Sequence, residues 1–203
     1  GLCEVCIERN DLGRAREHLA AGVALGERAG LPQYPYRWRV AAARLRRAEG
    51  DLGGALALLD EAKGRYDTDY SPSVRPVPAL EARVRLARGE LDAALRWAEQ
   101  QHLSVGDELA YVREFEHLTL ARVLVAIEAR DRSDLGAVGL VERLMSAAEA
   151  GGRTGVVIEC LVLLSLARSA TGDRSGALTA VEQALVLAEP EGFVAVFLEA
   201  GEP

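Results

Sequence analysis

The most regular candidate chemistry in this sequence belongs to arginine. Arg44, Arg83 and Arg122 recur at intervals of 39 residues. A guanidinium presents a planar fork of donors that matches carboxylate and phosphate geometry. Three of them on one surface would form a ladder for such groups on a ligand or partner. Trp38 and Tyr111, with Tyr34, Tyr36 and Phe115 nearby, would add faces on which a ligand can stack. The plainer and favoured alternative is that each arginine pairs with a neighbouring glutamate such as Glu81, or only lays its stem over apolar surface. The aromatic residues would then cap the core.

Other chemistries find less support. Cys3-Glu4-Val5-Cys6 spaces two thiols as redox or zinc sites do, but no second ligand pair accompanies it and Cys160 stands alone. Buried, inert cysteines are expected. His18, His102 and His117 are not paired at helical spacing, and Glu114 with His117 gives one Glu-x-x-His where a di-metal bundle needs two. No metal site is therefore expected. The chain has neither a G-x-x-x-x-G-K-[ST] nor a G-x-S-x-G motif, and Lys63 is its sole lysine. Asp67 and Asp69 fall in a polar loop, where solvation accounts for them. No catalytic constellation emerges.

The elements that must carry these residues are set by a recurring turn. Gly50-Asp51-Leu52-Gly53-Gly54-Ala55-Leu56 has a close relative in Gly89-Glu90-Leu91-Asp92-Ala93-Ala94-Leu95, and fainter ones begin at Asn10, Ser133 and Gly172. The acidic residues stand at 11, 51, 90, 134 and 173, with spacings of 40, 39, 44 and 39. Self-similarity at such a period marks a stacked repeat protein. Glycine supplies the positive φ that closes one helix. The acid can accept from the free N–H groups that open the next. The small alanine lets the two helices approach. Residues 43–56 and 82–95 share eight identities in fourteen positions.

Read with this ruler, the chain predicts five helix pairs: 2–9 with 11–29, 36–49 with 51–65, 78–88 with 90–101, 107–129 with 134–150, and a nearly all-apolar helix near 156–166 whose partner ends at Glu189. The five extra residues before Asp134 predict one more helical turn and a looser corner. Phe193 to Glu199 would start a further helix. All seven prolines fall in connections, at helix starts or at the terminus. The expected fold is an all-α, right-handed superhelix of about five antiparallel pairs. The first helices of such pairs usually line the concave face.

Composition narrows the function. Apolar residues make up 49% and charged residues 27%, ordinary values for a globular protein, and aromatics only 5%, as alanine- and leucine-based helix packing prefers. A net charge of −7 argues against gripping nucleic acid unaided. No apolar run is long enough to span a membrane. The odd cysteine count fits a cytoplasmic location. With Met145 the sole methionine and residues 1–9 reading as a late helix, the chain is expected to be a fragment forming one repeat domain over 1–203.

The glycine–acid turn followed by alanine (Asp51/Ala55, Glu90/Ala94, Asp173/Ala177) resembles the tetratricopeptide pattern, at a period near 40 in place of about 34 residues. This longer variant is similar to the repeat region of MalT-like, large ATP-binding regulators of the LuxR family. Residues Ala188 to Pro203 resemble the segment that closes that region. The resemblance implies an ATPase module upstream, where any ATP would bind, and a helix-turn-helix module downstream, through which alone DNA would be reached. This region would carry no cofactor. It would be a non-catalytic sensor and coupling domain that binds a small-molecule inducer or a regulatory protein, with self-association as a further expectation. The alternative is a stand-alone tetratricopeptide-like interaction scaffold.

Overall fold

The computed structural model describes residues 1–29, 33–65 and 73–200. Its helices are α1 (Leu2–Glu8), α2 (Leu12–Ala29), α3 (Tyr34–Ala48), α4 (Leu52–Lys63), α5 (Val77–Ala87), α6 (Leu91–Gln100), α7 (Glu114–Asp131), α8 (Ala137–Ala150), α9 (Thr154–Ala170), α10 (Arg174–Ala188) and α11 (Ala195–Leu198). No strand occurs among the described residues. Consecutive helices pack as pairs, and first helices also touch across repeats, α1 on α3, α5 on α7 and α7 on α9. The result is a helical repeat solenoid. The predicted connection at Gly30–Pro32 and the loop carboxylates Asp67 and Asp69 lie outside the described residues.

The repeating turn has one geometry. Gly50, Gly89 and Gly172 all have positive φ, between +76° and +84°. In each, the glycine N–H bonds three residues back and the next N–H reaches five back, as in Asp51 N to Arg46 O at 2.9 Å. This pair of hydrogen bonds to the last carbonyls is the Schellman closure. Asn10 (φ 56°) takes the glycine's place after α1, as asparagine can. The acid then serves the next helix: Asp51 accepts from Gly54 N at 2.8 Å and Asp173 from Gly176 N at 2.9 Å. Glu90 does not cap α6. Its longer side chain turns back to Arg85 and Arg88 instead, at 3.0 and 2.9 Å. Ala15, Ala55, Ala94 and Ala177, four residues after the acids, are all buried at helix crossings.

The fourth pair departs from expectation at both starts. Residues 103–110 are irregular, and α7 begins only after a 3₁₀ turn at Tyr111–Arg113. Its return helix begins at Ala137, not Asp134, because Glu128 reaches out of α7 and its Oε1 accepts from the N–H groups of Leu135 and Ala137, at 2.6 and 3.0 Å. The added residues do lengthen α7, which ends in a left-handed Arg132.

Helix α9 is buried over Val157–Ile158 and Cys160–Leu164 because α7, α8, α10 and α11 surround it. The short α11 does not extend the stack. It folds back across α9 and meets α1, with Val194 N donating to the Glu8 carbonyl at 2.9 Å. Phe193, Val196, Phe197 and Ala200 pack against an apolar cluster built on Ile158 and Leu161.

Candidate functional site

The first helices face a common interior. Residues of α3, α5, α7 and α9 line a cavity of about 760 Å³, with Leu86, Val125, Ala126 and Leu163 among its walls. A smaller cavity of about 390 Å³ lies beside it, flanked by Phe115, Tyr111 and Phe193. Arg47, Arg83, Arg122 and Glu199 line both cavities and so form the partition between them.

Each arginine of the predicted ladder is engaged by a carboxylate. Arg44 donates through Nη1 to Glu4 at 3.0 Å and through Nη2 to Glu8 at 2.6 Å. Burial disfavours charge on its guanidinium, but Glu8 and Glu4 outweigh burial and raise its pKa. Arg122 donates through Nε to Glu159 Oε1 at 2.7 Å. The same oxygen stands 2.9 Å from Arg83 Nη2. Arg83 gives its Nε to Thr119 Oγ1 at 2.8 Å and lays its guanidinium over Phe115, 4.0 Å from the ring centre. Glu81, the partner suggested by sequence, pairs instead with Lys63 at 2.6 Å.

Burial sharpens these pairings. Arg83 and Arg122 are only 5% and 6% exposed, so each charge depends on its neighbours. Burial would raise the Glu159 carboxyl, yet Arg122 and Arg83 hold it down at about 2. For Arg83 burial prevails: its guanidinium falls to about 10 despite Glu159, helped down by Arg122 and Arg47. Burial also lowers Arg47, with Glu199 opposing and Arg122 reinforcing. Arg47 and Glu199 form an ion pair at 3.0 Å.

The structure therefore gathers Arg44, Arg83, Arg122 and Tyr111 around the smaller cavity, but not Trp38. Trp38 lines a separate groove between α2 and α3, where Arg39 lies 4.3 Å above its ring. It occupies a different face of α3 from Arg44 because the two are six residues apart, about a third of a turn round the helix axis at 3.6 residues per turn. Tyr111 is largely exposed and faces Arg153, whose Nε donates to Glu114 at 2.8 Å.

Sequence reasoning missed Arg47, Glu159 and Glu199. Glu159 carried a signal: it is the one charged residue between Val156 and Leu166, and a charge inside a helix buried all round needs a partner. Its offset is a second signal. The bonds Glu8–Arg44, Arg83–Thr119 and Arg122–Glu159 span 36, 36 and 37 residues, one repeat less about one helical turn. Cys3 and Cys160 are buried, and burial pushes both thiols up, while Cys6 is half-buried. His117 is enclosed between the Arg113 carbonyl and Asp107, each 3.1 Å away. No cluster of three metal-ligating side chains occurs among the described residues.

Comparison with known proteins adds a family-level match. A family model described as a MalT-like TPR region matches residues 1–203, the whole chain. No curated protein and no solved structure matches it.

Proposed function

Because the chain belongs to the MalT-like TPR region family, we propose that it is the effector- or partner-binding region of a LuxR-linked, MalT-type transcription regulator. The observation that carries this reading is the interior shared by α3, α5, α7 and α9, where apolar walls surround a buried charge cluster. An apolar cavity with a few convergent polar groups is the usual form of a ligand site. The region acts by binding, without catalysis, in the cytoplasm. ATP and DNA are handled by modules outside residues 1–203. An occupied interior shifts the curvature of the stack, since each repeat interface contributes a small rotation, and the regulator responds to the population so favoured.

Ala126→Trp, placed in the wall of the larger cavity, tests this in the regulator that carries the region. The expected result is loss of the transcriptional response to effector with the thermal midpoint preserved. An unaltered response would remove the cavity from the mechanism.

The second reading is an interaction scaffold with no DNA link. Leu178 and Leu185, exposed seven residues apart on α10, support it, because they repeat on one helix face. The coding sequence on either side separates the two: a P-loop before and a helix-turn-helix after belong to the regulator alone.

A further inference from the structure

Three guanidiniums meet two carboxylates in the partition between the cavities. Arg47 pairs with Glu199 while Arg83 and Arg122 share Glu159, so one positive charge is left over. The two carboxylates differ in how they are held. Glu159 is fixed on α9, a seventeen-residue helix packed against α7, α8 and α10. Glu199 follows the four-residue α11 on the returning C-terminal segment. Beyond its apolar packing, that segment is tied to α1 by the Val194–Glu8 backbone bond and to α3 by the Arg47–Glu199 pair.

The cluster also holds a donor that must share its acceptor. Arg83 Nη2 is buried and its one carboxylate contact, Glu159 Oε1 at 2.9 Å, is an oxygen already taken by Arg122 Nε at 2.7 Å, so it lacks an acceptor of its own. The other carboxylates lining the smaller cavity do not relieve it: Glu8 is bound by Arg44 and Glu114 by Arg153. When the segment 193–200 withdraws, Arg47 loses its partner, three guanidiniums share Glu159, and the partition loses its Glu199. An oxyanion with two or more oxygens could then accept from Arg47 and Arg83 together, a geometry that guanidinium forks favour. Phe115, already stacked under Arg83, would flank it.

We propose that Arg47, Arg83 and Arg122 form an oxyanion site occupied by the chain's own Glu199, and that the ligand of this interior carries a phosphate or carboxylate that displaces Glu199 and frees the segment 193–200. This rests on the reading of the interior as the effector site. It defines the ligand by its anionic group and names the C-terminal segment as the element that reports binding.

The test titrates wild type, Glu199→Gln and Arg47→Gln with pyrophosphate and with citrate, against sodium chloride at equal ionic strength. Thermal midpoint and amide exchange of residues 193–199 are followed. Saturable stabilisation is expected, with an apparent affinity about tenfold tighter in Glu199→Gln, where the internal competitor is gone, and abolished in Arg47→Gln. In wild type, anion binding should speed exchange of 193–199, a measurement that needs no variant. A response to pyrophosphate alone assigns a phosphate, and one to citrate alone a carboxylate. No tightening in Glu199→Gln, an undiminished response in Arg47→Gln, or unchanged wild-type exchange overturns the proposal. If Ala126→Trp still abolishes the effector response after such a failure, the anion site falls and the cavity's role stands. If anions bind as expected but Ala126→Trp responds normally, the site stands and the cavity's role falls.

Discussion

Glu159 is the residue on which the interior depends most. One carboxylate oxygen faces both Arg83 and Arg122 inside the stack. Glu159→Gln should destabilise the fold by about 3–5 kcal/mol, because two buried guanidiniums would lose their charge partner. The pH dependence has a definite sign. The folded carboxyl titrates near about 2 and the unfolded one near 4.5, so its contribution is complete above the unfolded value and fades as pH falls towards the folded one. The stability gap between wild type and Glu159→Gln, measured by denaturant unfolding, should therefore be constant near neutrality and shrink between about pH 4.5 and 2. A gap independent of pH over that range would show that the charge of Glu159 is not what matters. The recurrence of Arg44, Arg83 and Arg122 was readable in the sequence. Their partners were not, since the expected Glu81 is held by Lys63 and the actual ones lie a repeat away.

At the scale of elements, the glycine–acid turn carries its own prediction. Gly89 has φ +76° with open space where a Cβ would stand. Gly89→Ala should then cost about 1–2 kcal/mol from backbone strain alone. Gly22 lies inside α2, also with open space around it. Gly22→Ala should stabilise by about 1 kcal/mol, because alanine is the better helix former. Thermal unfolding of both variants checks the opposite signs; equal signs would contradict the assigned turn. These turns were legible because Schellman closure and capping are decided within a few neighbouring residues. The start of α8 was not. Its capping group is Glu128, supplied from the preceding helix and not from Asp134.

For the whole molecule, the notable departure from a simple array is the return of α11 to α1. An exposed ion pair contributes little, but Arg47 and Glu199 are shielded, with side-chain exposures of 15% and 26%. A double-mutant cycle of Arg47→Gln and Glu199→Gln should give a coupling of about 1–2 kcal/mol. A coupling near zero would mean that apolar packing alone holds the segment. The closing segment was recognised in sequence by its resemblance to the end of MalT-like repeat regions. Its path was not visible there, because a four-residue helix has too little periodicity to say what it packs against.

The sequence by itself determined the phase of the repeats, the character of their turns, the helix boundaries to within a few residues in most pairs, and the burial of α9. Each follows from short-range chemistry: glycine's φ, a capping acid three residues from its donor, apolar spacing along one helix. Tertiary structure alone decided which carboxylate meets which arginine, that Trp38 stands apart from them, and that Glu199 comes back to pair with Arg47. Those depend on how successive repeats stack, which brings together side chains 36 to 40 residues apart in the chain.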